Sequence, residues 1–99
     1  MQVNVTGKQI DITEALQQYA DKKCVRLDRY YDRVKSVDVL IDKPNHEFEV
    51  EIVSHVDGHD PFISSCRGDD VYACIDESVD KLSRQLSDHK EKIRNHKHG

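Results

Sequence analysis

The sequence lacks the long apolar segment that a membrane-spanning helix requires. No apolar run approaches the roughly 20 residues needed to cross the hydrocarbon core of a bilayer, so we expect no membrane partner. The amino-terminal residues also lack a positively charged segment followed by an apolar one, which argues against a secretory signal. These absences predict a cytoplasmic protein. A chain of 99 residues is long enough for one domain with one core.

Cysteine is scarce and is not spaced for metal binding or for a disulfide framework. The three cysteines, Cys24, Cys66 and Cys74, are odd in number and form no C-x-x-C motif. This pattern is typical of reduced thiols inside a cell, and Cys66 and Cys74 are expected to be small core residues. The six histidines show neither H-E-x-x-H nor the spacing of a structural zinc site. We therefore predict no metal and no cofactor.

Signatures of catalysis are also missing. A triad would have to be assembled from Ser64, Ser65 and His55 with nearby acids, but no nucleophile elbow or glycine-rich phosphate loop frames them. Gly68 is a lone glycine before a predicted helix, as expected of a turn or cap. We therefore predict no catalytic residues and a protein that is not an enzyme.

Charge is abundant and strongly segregated. The net charge is -4, yet residues 22–35 contain six basic residues against two acids, and residues 81–99 again contain six against two. Between them, residues 36–80 contain twelve acids and only two basic residues. Because local field rather than net charge attracts phosphate, an acidic protein with two basic segments can still bind a polyanion.

Period-two alternation predicts four short strands. The third has the most regular alternation, with Glu47, Glu49 and Glu51 on a face that we expect to lie in water. Lys43-Pro44-Asn45 and Asp57-Gly58 are turn signals between the later strands. The predicted inward-facing residues are Val3 and Val5, then Val37, Val39 and Ile41, then Phe48, Val50 and Ile52, and finally Phe62, Ser64 and Cys66.

Three-four spacing predicts two helices. The first spans residues 14–31, with Thr13 as its N-cap, and buries Leu16, Tyr19, Ala20, Lys23, Leu27 and one of Tyr30 and Tyr31. The second opens at Asp69 and Asp70 and runs for about 24 residues, roughly 36 Å, so its basic end is expected to project beyond the sheet. Its apolar seam is Tyr72, Ile75, Val79, Leu82, Leu86, His89 and Ile93.

The element order is therefore β-α-β-β-β-α. We predict an α+β two-layer sandwich, in which a four-stranded sheet carries both helices on one face. Strands one and two should be parallel, joined by a crossover through the first helix, and strands two to four should form an antiparallel meander. Residues 1–95 would form the single domain and residues 96–99 a polar, disordered tail.

The basic residues of both helices follow helical spacing. Lys22, Arg26, Arg29 and Arg33 fall within about 60° of arc on the first helix. Lys81, Arg84 and Lys92 fall on one flank of the second, so the two stripes are expected to join into one phosphate-binding patch. Cations near helix C-termini also complement the helix dipole whatever the function. From charge alone, an RNA interface and an ordinary polar surface both remain open.

Several sequence segments closely resemble the ribosome hibernation promoting factors of bacteria, which belong with the ribosome-associated inhibitor and sigma-54 modulation proteins. They are MQVNVTGKQIDITEAL, the helix from Lys23 to Leu27 that ends in Tyr30-Tyr31-Asp32-Arg33, DDVYACID and DKLSRQLSDHKEKI. The most specific parts are the T-E-A-L opening and the pattern D-x-Y-x-x-I-D followed by D-K-L-x-R-Q-L. The resemblance covers essentially the whole chain.

The resemblance implies a fold similar to double-stranded RNA-binding domains and a protein that binds 16S rRNA of the 30S subunit, in the channel of tRNA and mRNA. It implies a block of translation and inactive 100S dimers of 70S ribosomes in stationary phase. The chain has neither a long acidic tail nor an extra C-terminal domain, which suggests the short type, a monomer or weak dimer that pairs ribosomes with a second factor. The alternative is a double-stranded RNA-binding module that is not specific to the ribosome.

The resemblance also implies the residues that bind rRNA. In the family these contacts come from basic residues of the two helices. Asp88 departs from that pattern and is expected to interrupt the stripe on the second helix. The implied residues are Lys22, Lys23, Arg26 and Arg29 on the first helix, and Lys81, Arg84 and Lys90 on the second. The spacing of basic residues on the second helix adds Lys92 to the predicted rRNA-binding set.

Overall fold

The structure is a computed structural model that describes residues 1–97, with side chains as far as Arg94. One sheet contains four strands in the order β1 (Gln2–Lys8), β2 (Val34–Asp42), β3 (Phe48–Val56) and β4 (Phe62–Gly68). β1 is parallel to β2, and β2, β3 and β4 are antiparallel neighbours. Helices α1 (Glu14–Cys24) and α2 (Val71–Lys97) complete the chain. The predicted α+β fold, its strand directions and its element order are confirmed.

The core lies between one face of the sheet and the two helices. Val37, Val39 and Ile41 of β2 are fully buried, whereas the alternate residues point to the open face. The register places Val39 opposite Ile52 and Ile41 opposite Val50, so the apolar residues of β2 and β3 form one continuous surface. No helix in the described part of the chain is long and apolar enough to cross a membrane.

The first helix is shorter than predicted. Its α-helical part begins after Thr13, whose side chain accepts from the Leu16 N–H at 3.2 Å as expected of an N-cap, and ends at Cys24. A 3₁₀ helix over Val25–Arg29 follows. Tightening of this kind is common at the C-terminal ends of α-helices because it satisfies their last carbonyl groups. The prediction of one helix over residues 14–31 was therefore wrong after Cys24.

The buried stripe of α1 also differs from the prediction. Cys24 is fully buried, whereas Lys23 and Tyr19 are only half-buried. Of the two adjacent tyrosines, Tyr31 enters the core and Tyr30 remains exposed. The observed buried set of α1 and the segment after it is Leu16, Ala20, Cys24, Leu27 and Tyr31.

The second helix is capped by Asp70, as its sequence position suggested. Its carboxylate accepts from the N–H groups of Tyr72 and Ala73 at 2.9 and 3.3 Å. Val71 rather than Tyr72 occupies the first core position, and Tyr72 is exposed. α2 is about 40 Å long in a molecule of 50 × 22 × 18 Å.

The end of α2 lies beyond the fully buried core. In the described part of the helix after Leu86, no side chain is fully buried, and His89 and Ile93 are half-buried. The basic part of α2 is therefore largely in solvent. Of the predicted polar, disordered tail, residues 96 and 97 belong to α2, and residues 98–99 lie outside the described residues.

Candidate nucleic-acid interface

Three cations of the first helical segment lie exposed on one side. Lys22 and Arg26 are four residues apart, and Arg26 and Arg29 are three residues apart in the 3₁₀ helix. Because residues i and i+3 are in line on a 3₁₀ helix, the basic stripe continues through the change of helix type. Arg33 does not belong to it. That residue lies in the turn before β2, where its carbonyl accepts from the Asp57 N–H at 3.1 Å.

Lys23 is directed toward α2 rather than to solvent. Its Nζ lies 3.4 Å from Asp76 Oδ1 and 5.4 Å from the centre of the Tyr19 ring. The Tyr19 hydroxyl donates to the same carboxylate at 2.7 and 2.8 Å. This hydrogen bond, with burial and the Asp76 charge adding to it, raises the pKa of Tyr19 to about 12. Lys23 therefore links the two helices, and its charge is partly neutralised.

A groove separates the basic residues of α1 from those of α2. It has a volume of about 270 Å³, and Asp76 and Asp80 of α2 line it together with Arg26. Negative side chains here repel a phosphate backbone. The two basic stripes therefore do not join into one uninterrupted patch, contrary to the expectation. The residues lining the groove are Lys23, Arg26, Tyr30, Asp76, Val79, Asp80 and Ser83.

Lys81 contacts the sheet. Its Nζ donates to the carbonyl of Ser65 at 2.9 Å, and the amide of Gln85, one turn later, donates to the carbonyl of Ile63 at 3.0 Å. Both carbonyls belong to β4, which is an edge strand. The two side chains therefore satisfy acceptors that an edge strand leaves unpaired. Lys81 therefore makes a structural contact in addition to contributing positive charge to the surface.

The remaining cations of α2 lie on different sides of the helix. Arg84 is exposed, with Asp80 and Asp88 one turn away on either side. Lys92 lies beside His59 and His89 at the start of β4. Lys90 instead lines a groove on the opposite flank. Lys90 therefore lies on the other flank of α2 from Lys92, apart from the stripe predicted for Lys81, Arg84 and Lys92.

The groove that contains Lys90 also contains two basic residues that the family resemblance did not imply. Arg33 and Arg94 line it together with Tyr31, around a volume of about 210 Å³. Arg94 lies 3.8 Å from Glu91, a long and exposed ion pair. Both residues belong to the basic segments of the sequence. Their proximity could not be predicted because the position of Arg33 depends on where the first helix ends.

The open face of the sheet has the opposite charge. Asp38, Asp42, Glu49 and Glu51 project from it, and among the strand residues on this face Lys8 and Arg67 provide full positive charge. Two of the acids have partners, since Arg67 Nε lies 2.7 Å from Glu49 and His55 Nε2 lies 2.9 Å from Asp38. The molecule thus has an acidic sheet face and a helical face with exposed cations.

The cysteines are buried thiols. Cys66 Sγ lies 3.1 Å from Cys74 Sγ, and its thiol donates to Glu77 Oε2 at 2.5 Å. Burial, aided by the hydrogen bonds to Glu77 and Cys74, raises the pKa of Cys66 to about 12, and burial raises that of Cys24 to about 12. The expected core role of Cys66 and Cys74 agrees with these positions. Among residues 1–94, no group of three potential ligands is arranged around a metal-sized site.

The fold and the surface together define a class of small α+β protein, with a four-stranded sheet, two helices on one face and exposed cations on those helices. The chain belongs to the family described as sigma 54 modulation protein / S30EA ribosomal protein, whose model matches residues 3–94. The resemblance drawn from the sequence motifs is confirmed. Membership of this family also confirms the prediction of a protein that is not an enzyme.

Named relatives cover nearly the whole chain. The ribosome hibernation promoting factor of Azotobacter vinelandii is 42% identical over 92 residues, which are 93% of this chain and 85% of the relative. The factor of the same name from Escherichia coli K12 is 40% identical over 98 residues, covering 97% of this chain and 100% of the relative.

Two solved structures share the fold. A ribosomal subunit interface protein from Coxiella burnetii has a TM-score of 0.84 at 25% identity, over 92% of this chain and 99% of the other. The N-terminal domain of Thermus thermophilus Protein Y has a TM-score of 0.77 at 29% identity, over 89% of this chain and 94% of the other.

Proposed function

We propose that this protein is a ribosome hibernation factor that binds the small ribosomal subunit through its helical face. The rRNA would be contacted by the predicted residues on α1 and α2, with Lys22, Arg26, Arg29 and Arg84 supplying exposed charge. The observation that carries the proposal is the separation of these cations from the acidic sheet face, in a chain whose named relatives are hibernation promoting factors.

The mechanism that fits this surface is steric. Lysine and arginine side chains neutralise 16S rRNA phosphates, and shape rather than base sequence selects the site. The rigid two-layer domain then fills the channel that tRNA anticodons and mRNA require, so translation stops. The acidic sheet face is repelled by RNA and therefore favours one docking orientation.

The cellular part of the proposal follows from the same family. The protein would act in the cytoplasm on 30S and 70S particles and promote inactive 100S dimers in stationary phase. A second factor would complete the pairing of ribosomes. The free protein would be a monomer or a weak dimer.

The direct test is a charge-reversal variant of the helical face, Arg26→Glu with Arg84→Glu. Both side chains are exposed, and neither forms an ion pair among residues 1–94. In sedimentation with purified 30S subunits, we expect affinity to fall on the order of 10- to 100-fold at physiological salt. The slope of log affinity against log salt should decrease by about 2, one unit for each lost phosphate contact.

The matched control reverses two exposed lysines on other surfaces, Lys8→Glu with Lys43→Glu. It changes net charge by the same amount, so affinity for 30S should fall much less. In vitro translation measured in parallel should be inhibited by the wild type and the control but not by the helical variant. Equal effects of the two variants would show that net charge rather than the helical face governs binding.

Competition with free duplex RNA tests ribosome specificity. A duplex of about 16 base pairs is the length that double-stranded RNA-binding domains span. In a gel-shift experiment, small subunits should displace the protein from such a duplex at far lower concentration than unlabelled duplex does. Equal competition would favour a general double-stranded RNA-binding module.

A further inference from the structure

Four aromatic rings meet where the turn between β3 and β4 approaches α2. The rings of His59 and Phe62 are stacked, with centroids 4.7 Å apart and planes 5° from parallel. The ring of His89 lies 4.5 Å from His59 and 5.1 Å from Phe62. On the side of the core, His89 meets Tyr31 edge to face at 5.2 Å. The four rings therefore form a continuous series of contacts from the core to the surface.

Exposure increases along this series. Tyr31 is 4% exposed, Phe62 and His89 are half-buried, and His59 is exposed. Phe62 covers one face of the His59 ring, so the stack can accept a further planar group on the outer side. The His59 Nδ1 lies 2.7 Å from the carbonyl of Asp60, which can only accept, so Nδ1 carries the proton. That hydrogen bond fixes the orientation of the ring.

The surroundings combine aromatic surface with one cation. The rings border a depression of about 320 Å³, which Gln85, Asp88 and Lys92 complete. Burial, with the neighbouring His59 and Lys92, lowers the pKa of His89, so its ring is neutral at physiological pH. Because Asp88 partly offsets the charge of Lys92, stacking rather than charge must supply most of the affinity.

We propose that His59, supported by Phe62 and His89, is a stacking site for an unpaired nucleobase of single-stranded RNA, with Lys92 contacting the adjacent phosphate. Unpaired bases in RNA stack on exposed aromatic rings, including histidine. Lys92 lies on the same flank of α2 as Lys81, which belongs to the predicted rRNA-binding set. The inference rests on the proposed function, because it specifies which RNA feature the basic face meets.

The test compares His59→Ala with His46→Ala. Both histidines are exposed, and His46 lies between β2 and β3, at the opposite end of β3. We expect His59→Ala to weaken binding to 30S subunits about 5-fold or more, without changing the salt slope, because stacking releases no counterions. His59→Phe should restore affinity, since it keeps an aromatic ring. His46→Ala should bind like the wild type.

A second measurement reports stacking directly. A short single-stranded RNA that contains 2-aminopurine should lose fluorescence when bound by the wild type and by His59→Phe, but much less with His59→Ala. Unaltered quenching and subunit affinity in His59→Ala would overturn the stacking site. Loss of subunit binding only in the Arg26→Glu, Arg84→Glu variant would then leave the proposed function intact. If the wild type does not bind 30S subunits, the proposed function is wrong. The 2-aminopurine signal then still tests the stacking site on its own.

Discussion

At the scale of single residues, the contacts that Lys23 makes with Asp76 and Tyr19 show that a basic residue can stabilise the fold. The sequence places Lys23 among the rRNA-binding candidates, and its spacing gives no sign of a partner 53 residues away. The ion pair explains why Lys23 is half-buried while Lys22, its neighbour, is exposed. We therefore expect Lys22→Ala to weaken RNA binding more than Lys23→Ala, and Lys23→Ala to be the more destabilising change.

The Tyr19 hydroxyl provides a prediction about stability. Tyr19→Phe removes the hydrogen bond to Asp76, and we expect the free energy of unfolding to fall by about 1 kcal/mol at neutral pH, since the acceptor is partly exposed. Urea denaturation followed by circular dichroism measures this change. Tyr30→Phe is the matched control, because Tyr30 is exposed. Equal stability of Tyr19→Phe and the control would contradict a stabilising hydrogen bond.

The same hydroxyl predicts a pH dependence. The folded-state pKa of Tyr19 is about 12, raised from 10.0. The folded protein therefore retains a proton that the unfolded chain releases, so stability falls as pH rises from about 10 towards 12. Tyr19→Phe should lose less stability over this interval than the wild type. Ultraviolet absorbance should show a tyrosine that ionises well above pH 10 in the wild type, and this component should be missing in Tyr19→Phe.

At the scale of elements, the strands were the most predictable part of the fold. Their alternation places Val39 and Ile52 on the buried face, and turn residues mark their ends. The end of α1 had no comparable signal, because neither glycine nor proline lies between Thr13 and Val34. The helical spacing of apolar residues continues to Tyr31. The segment Val25–Arg29 nevertheless forms a 3₁₀ helix, where further α-helical turns were predicted.

The cap at the start of α2 yields a prediction about stability. Asp70→Ala removes the carboxylate that caps two N–H groups, and we expect the free energy of unfolding to fall by about 1 kcal/mol. Asp69→Ala is the control, since the Asp69 carboxylate forms no hydrogen bond among residues 1–94. In thermal denaturation, the wild type and Asp69→Ala should have similar melting temperatures, and the melting temperature of Asp70→Ala should be lower. The reverse order would mean that the cap lies at Asp69.

At the scale of the whole molecule, the site was less predictable than the fold. Charge counts separate the basic and acidic segments, but the rotation of one helix against the other decides which side chains share a surface. That rotation brings Asp76 and Asp80 into the groove beside Arg26. The sequence contains no local signal for this arrangement because it depends on tertiary packing. The placement of Lys90 and Lys92 on opposite flanks of α2, by contrast, follows from their spacing of two residues along one helix.

The opposed charges of the two faces yield a final prediction. Glu47→Lys with Glu51→Lys reverses two exposed acids at the sheet and brings the net charge of -4 to neutrality. Losing this repulsion should let the sheet face bind RNA without selectivity. We expect affinity for a single-stranded homopolymeric RNA to rise on the order of tenfold at low salt and to return to the wild-type level at high salt. Filter binding over a salt series measures it.

The neutral variant Glu47→Gln with Glu51→Gln separates repulsion from new attraction. If repulsion by the acids is what excludes RNA from the sheet, the neutral variant should already gain part of the affinity. Affinity for 30S subunits should change little in either variant, because the helical face that we propose to bind there is unaltered. A gain for subunits as large as that for homopolymeric RNA would mean that the sheet face also lies against rRNA, which would overturn the single docking orientation.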